Sequence, residues 1–109
     1  MKKIIFTALL AVAMFSVEAK TQKVTIDVNG KCEMCKTRIE KTASAVPGVT
    51  SAKWNLKTKK LILIYDDAKT DVKKVEEALA AVGHDTQDVK ASDEAYNKLH
   101  ACCKYRESK

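Results

Sequence analysis

Cys32-Glu33-Met34-Cys35, two cysteines separated by two residues, is the part of this chain best equipped for chemistry. A thiolate is both a metal ligand and a nucleophile. At this spacing two sulfurs can converge on one ion, and a pair of thiolates with few oxygens selects soft ions: Cu(I), Zn(II), Hg(II) or Cd(II). Two protein ligands leave such an ion open to ligand exchange, whereas a closed four-ligand site retains it. The same spacing at a helix start also suits thiol–disulfide exchange, so a periplasmic thiol-disulfide oxidoreductase stands as the alternative.

A second pair, Cys102-Cys103, follows His100 near the end of the chain. Adjacent cysteines rarely bridge each other, because the ring is strained. Three readings are open. The tail folds back and adds sulfur or imidazole to the first pair, it forms a separate thiolate site, or its cysteines are buried or disulfide-linked for structural reasons. Cys102, Cys103 and His100 are thus additional candidate ligands.

The elements that must position these groups follow from periodicity. Val24, Ile26 and Val28 alternate with Lys23, Thr25 and Asp27, a strand over 22–28 that Asn29-Gly30 breaks. A helix is predicted over 34–45, with Ile39, Ala43 and Val46 on one face and Pro47-Gly48 as its stop. Cys35 falls at its N-terminus, where unpaired backbone N–H groups favour a thiolate, and Lys31, Lys36 and Arg38 add positive charge. Strands over 49–56 and 61–65 form an antiparallel hairpin. A second helix spans 71–82, with Thr70 as N-cap and Gly83 as stop. A short strand over 86–90 completes the order β-α-β-β-α-β, an α+β ferredoxin-like sandwich with a four-stranded antiparallel sheet and two helices on one face. Residues 91–109 form a helical tail capped by Ser92, with Tyr96, Leu99 and Cys103 on one side. Leu61 to Ile64 is apolar on both faces, so the tail or a second subunit is expected to cover part of the open face of the sheet.

The chain has 109 residues, enough for one domain. Met1-Lys2-Lys3, an apolar run from Ile4 to Phe15, and Ser16-Val17-Glu18-Ala19 have the parts of a secretory signal, with cleavage expected after Ala19. The run falls short of the roughly 20 apolar residues a membrane span needs, so no stable membrane anchor is expected. Removing residues 1–19 from 109 leaves 90, and the loss of Lys2, Lys3 and Glu18 takes the net charge from +6 to +5. The lysines are scattered and not interleaved with aromatics, which argues against nucleic-acid binding. The expected location is periplasmic or secreted, where disulfides are permitted. With neither paired carboxylates in a pocket nor a nucleophile–histidine–acid set, no enzyme is expected.

These residues resemble a known family. Val28-Asn29-Gly30, Cys32-Glu33-Met34-Cys35, Ile39-Glu40, Val46-Pro47-Gly48-Val49, Tyr65-Asp66 and Gly83-His84-Asp85 are similar to the heavy-metal-associated domain of periplasmic copper chaperones, mercury-binding proteins and the N-terminal modules of metal-transporting ATPases. The resemblance covers residues 22–90 of a domain placed at 20–90. It implies a metallochaperone or scavenger that binds a soft metal, above all Cu(I), through Cys32 and Cys35. It also implies delivery to a metal-transporting ATPase or another acceptor. It sets His84 in a loop that approaches the metal, as a tuning or shielding group or additional ligand; the plainer reading is a solvent-facing turn histidine. The loop here reads Gly30-Lys31, one residue shorter than the family's usual Gly-Met-Thr and without its methionine, which in the family packs behind the loop.

Overall fold

A computed structural model describes residues 20–107. The secretory segment read at 1–19 lies outside the described residues. The order is β1 (Thr21–Asp27), α1 (Glu33–Ser44), β2 (Val49–Asn55), β3 (Lys60–Asp66), α2 (Val72–Ala81) and α3 (Asp93–Asn97). Two 3₁₀ turns follow, Ala101–Cys103 and Tyr105–Glu107.

The sheet has three antiparallel strands in the order β1-β3-β2. Its register sets apolar residues in rows: Leu61 pairs with Ile26 on one side and Trp54 on the other, and Leu63 pairs with Val24 and Ala52. Cys35, Ile39 and Ala43 of α1 and Val75 and Leu79 of α2 share one buried core with this face. The β2–β3 connection is held by the Asn55 carboxamide oxygen, which accepts from the backbone N–H groups of Lys57 and Thr58 at 2.8 and 3.0 Å. The α+β class thus follows the sequence reading.

Three local details differ from expectation. The fourth strand expected at 86–90 is reduced to a single bridge between Val28 and Thr86. Its hydrogen-bonding groups close on themselves instead: Thr86 donates its backbone N–H to the Val89 carbonyl at 2.8 Å, and the Val89 N–H returns to the Thr86 hydroxyl at 3.1 Å. Asp71, not Thr70, caps α2, its carboxylate accepting from Lys74 N–H at 2.9 Å. The tail helix stops at five residues, because i→i+3 bonds at Lys98 and Leu99 tighten its last turn.

The tail nevertheless buries Tyr96, Leu99 and Cys103, as their spacing suggested. It packs on the helical side of the sheet, at the end that carries the Cys32 loop. Gly83, at φ 103° just after α2, makes room for it: a Cβ there would lie 3.0 Å from both the Ala95 carbonyl oxygen and the Leu99 side chain. On the open face Ile62 stays 41% exposed, and the tail residues Tyr96, Leu99 and Cys103 pack into the core instead.

Candidate metal centre

The loop between β1 and α1 is fixed from behind. The Trp54 indole N–H donates to the Val28 carbonyl at 2.9 Å, and Asn29 N–H donates to the Asp85 carbonyl at 2.9 Å. Gly30 is needed for close approach: a Cβ there would sit 3.0 Å from the Cys35 Cβ, 3.1 Å from Trp54 and 3.2 Å from Ile39. Space behind the loop is therefore already filled, and the position next to it is taken by the half-buried Lys31. The chain then turns into α1 with Cys32 as N-cap, in extended backbone at φ −148°, its carbonyl accepting from Lys36 N–H at 3.0 Å.

Four sulfurs gather here. Cys32 Sγ lies 3.5 Å from Cys35 Sγ, 3.6 Å from Cys102 Sγ and 3.3 Å from Cys103 Sγ. Cys102 and Cys103 are 3.9 Å apart through their sulfurs. The ligand atoms of Cys32, Cys102 and Cys103 all lie within 4.8 Å of one another, the one such group of three or more metal-ligating side chains among the described residues. Cys35 sits beneath it, fully buried against the core. Arg38 Nη1 donates to Cys103 Sγ at 3.5 Å. Met34 is 44% exposed and turns its sulfur to within 3.9 Å of Cys102 Sγ.

The thiols differ in character. Partial burial acts to raise Cys32, but the Cys35 backbone N–H and the neighbouring thiols outweigh it and bring Cys32 down to about 7. Burial and the Cys103 thiol push Cys35 up to about 12. The Cys32 thiol beside it is the main cause that raises Cys102 to about 11. The helix start thus favours the thiolate at Cys32, the N-cap, and not at Cys35 as the sequence suggested. Cys35 is one turn in and faces the core.

Neither histidine joins the sulfur group. His100 is exposed at the start of the first 3₁₀ turn. His84 is fully buried, which overturns the reading of a solvent-facing turn residue. Its Nδ1 lies 2.8 Å from the Asn29 carbonyl oxygen. A carbonyl only accepts, so Nδ1 carries the proton and Nε2 is a bare acceptor, buried without a partner among the described residues. Burial is the main cause that holds this imidazole below the usual histidine range. His84 thus braces the loop from inside.

Sequence reasoning missed the clamp that holds the tail. The Arg106 guanidinium forks onto both Asp85 carboxylate oxygens at 3.1 and 2.8 Å, reaches Asp93 at 3.1 Å, and lies 4.4 Å over the Tyr96 ring. The Tyr105 hydroxyl donates to the Gly83 carbonyl at 2.6 Å and accepts from Asp85 N–H at 2.8 Å. These partners are 10 to 22 residues apart, and no periodicity links them. The Tyr105-Arg106 pair, one residue beyond Cys102-Cys103, was the only signal.

A small α+β domain with thiols crowded at a helix start defines a class of soft-metal-binding modules. Comparison narrows the class: residues 25–85 match the heavy-metal-associated domain, and the chain belongs to that family. It is 36% identical over 85 residues to the mercuric transport protein periplasmic component of Pseudomonas aeruginosa, covering 77% of this chain and 93% of that one. Oxidized MerP from Ralstonia metallidurans CH34 superimposes with a TM-score of 0.60 at 35% identity, over 62% of this chain and 96% of its own. A CopZ metallochaperone does so with a TM-score of 0.58 at 32% identity, over 60% of this chain and 98% of its own.

Proposed function

We propose that this protein is an exported carrier or scavenger of a soft metal ion, which it binds through Cys32 and Cys35 and releases by thiolate exchange. The observation that carries the reading is the position of Cys32: N-cap of α1, its sulfur 3.5 Å from Cys35 and its thiol poised at about 7. A thiolate present at neutral pH captures a thiophilic cation without a prior proton transfer. The cation is a soft one, Cu(I) or Hg(II) first, with Zn(II) and Cd(II) also in the class that paired thiolates select. Residues 1–19 would direct export and leave a domain over 20–90 with the tail over 91–109. The setting is the periplasm or beyond, and the acceptor is a metal-transporting ATPase or a comparable thiol-bearing protein. The reading asks for no catalytic step, and the match to this family lends no support to a thiol–disulfide oxidoreductase.

Anaerobic titration of the 20–109 chain with Cu(I) and Hg(II) tests it. One ion per chain is expected, with binding lost in Cys32→Ser/Cys35→Ser. Full stoichiometry and affinity in that variant would sink the reading.

A further inference from the structure

We propose that Cys102 and Cys103 complete, with Cys32, a three-thiolate site for a soft divalent cation, and that Arg38 supplies its counter-charge. The inference rests on the soft-metal reading above: the ion captured at Cys32 and Cys35 passes by thiolate exchange to Cys32 and the tail pair, with Cys35 outside the final three-sulfur set.

Geometry is the first support. The three sulfurs form a triangle with edges of 3.6, 3.3 and 3.9 Å. Metal–thiolate bonds of about 2.3 Å in a trigonal plane require sulfurs about 4 Å apart. The edges have to open by about 0.1 to 0.7 Å to reach that spacing, most of it between Cys32 and Cys103. Cys35 belongs to no such mutual group, so Cys32 is the sulfur shared between the loop pair and the tail pair.

The second support is that the tail is held on both sides of its cysteines. Tyr96 and Leu99 are buried in the core before them. Tyr105 and Arg106 are bonded to Gly83 and Asp85 after them. Between these points a 3₁₀ turn, closed by Cys103 N–H on the His100 carbonyl at 2.8 Å, presents both sulfurs towards Cys32. A preorganised donor set loses little freedom on binding.

Charge then selects the cargo. Three M–S bonds form, the thiol protons go to solvent, and nothing is oxidised. Three thiolates with a divalent cation carry −1, which the Arg38 guanidinium at 3.5 Å from Cys103 Sγ neutralises. With Cu(I) the same site keeps an excess negative charge. Softness and charge together point to Hg(II) or Cd(II).

The test is X-ray absorption on the Hg(II)-loaded 20–109 chain, with affinity measured against a competing dithiol. Three sulfurs around mercury are expected in the parent and two in Cys102→Ser, with at least a tenfold loss of affinity. Cys102 is exposed, so this variant keeps its fold, which an unchanged melting temperature without metal verifies. Arg38→Met should weaken Hg(II) binding about fivefold. Two sulfurs in the parent, with Cys102→Ser at parent affinity, overturn this inference and leave the role of Cys32 and Cys35 standing. Parent affinity in Cys32→Ser/Cys35→Ser removes both.

Discussion

The sulfurs of Cys32 and Cys103 lie 3.3 Å apart, although 71 residues separate them along the chain. An ion held by both closes that entire span into a loop. A cross-link of this length removes freedom mainly from the unfolded chain. Binding to the folded state alone stabilises by about 2.7 kcal/mol at a hundredfold excess over Kd. Hg(II) is therefore expected to raise the melting temperature of the parent strongly, and that of Cys102→Ser/Cys103→Ser much less. Calorimetry with and without metal measures both.

The tail clamp should be sensitive to acid. Burial acts to raise Asp85, but Arg106 and the Ala91 N–H hold its carboxyl below the usual carboxylate range. With the folded value depressed, this stabilisation is fully present above the unfolded value of about 3.9 and drains away as pH falls through the lower folded value. Asp85→Asn should cost about 1.5–3 kcal/mol at pH 7, since it removes the charge under the Arg106 fork and leaves that guanidinium only the exposed Asp93 carboxylate. The difference from the parent should shrink below pH 4. Urea unfolding across that range reads the effect.

Thiol reactivity should follow position. Cys32 at about 7 is largely thiolate at pH 7.5, whereas Cys35 at about 12 and Cys102 at about 11 are not. Brief iodoacetamide treatment of reduced, metal-free protein should label Cys32 first, with a rate midpoint near pH 7. Peptide mapping checks the order, and preferential labelling of the more exposed Cys102 would contradict it.

Glu76 is a built-in weakness of α2. It is buried, one carboxylate oxygen lacks a partner among the described residues, and burial together with Asp88 raises its pKa. A carboxyl with a raised folded value destabilises the fold increasingly as pH climbs through that value. Glu76→Gln should gain on the order of 1 kcal/mol at pH 7 and nothing near pH 3. Thermal melts at both pH values provide the comparison.

Gly30→Ala should be damaging. The added methyl meets Cys35, Trp54 and Ile39 at 3.0–3.2 Å, in a region with little slack. Overpacking of this kind costs about 1–3 kcal/mol. Because one clash is with the Cys35 Cβ, metal affinity should fall along with stability. Paired denaturation and metal-competition measurements separate the two losses.

What could be read from the sequence depended on the range of the interactions. Alternation at Val24, Ile26 and Val28 and the Cys32–Cys35 spacing are local, and both survive in the fold. The strand at 86–90 failed because Thr86 and Val89 satisfy each other, a side-chain option that alternation does not register. That Cys32 is the N-cap, with Cys35 already inside the first turn, turned on a helix boundary one residue earlier than expected. The convergence of Cys102 and Cys103 on Cys32 depends on the Arg106–Asp85 pair, whose partners are distant in sequence, so it stood only as one of three readings.

Trp54 is the one tryptophan of the chain, wedged against Gly30 and bonded through its indole N–H to Val28. The chain therefore carries its own optical probe at the back of the cysteine loop. Heavy ions quench indole emission at short range, and any strain passed from Cys35 to Gly30 reaches the same ring. Arrival and departure of cargo can be followed in real time on unlabelled protein, by the fluorescence of a single residue that touches no ion itself.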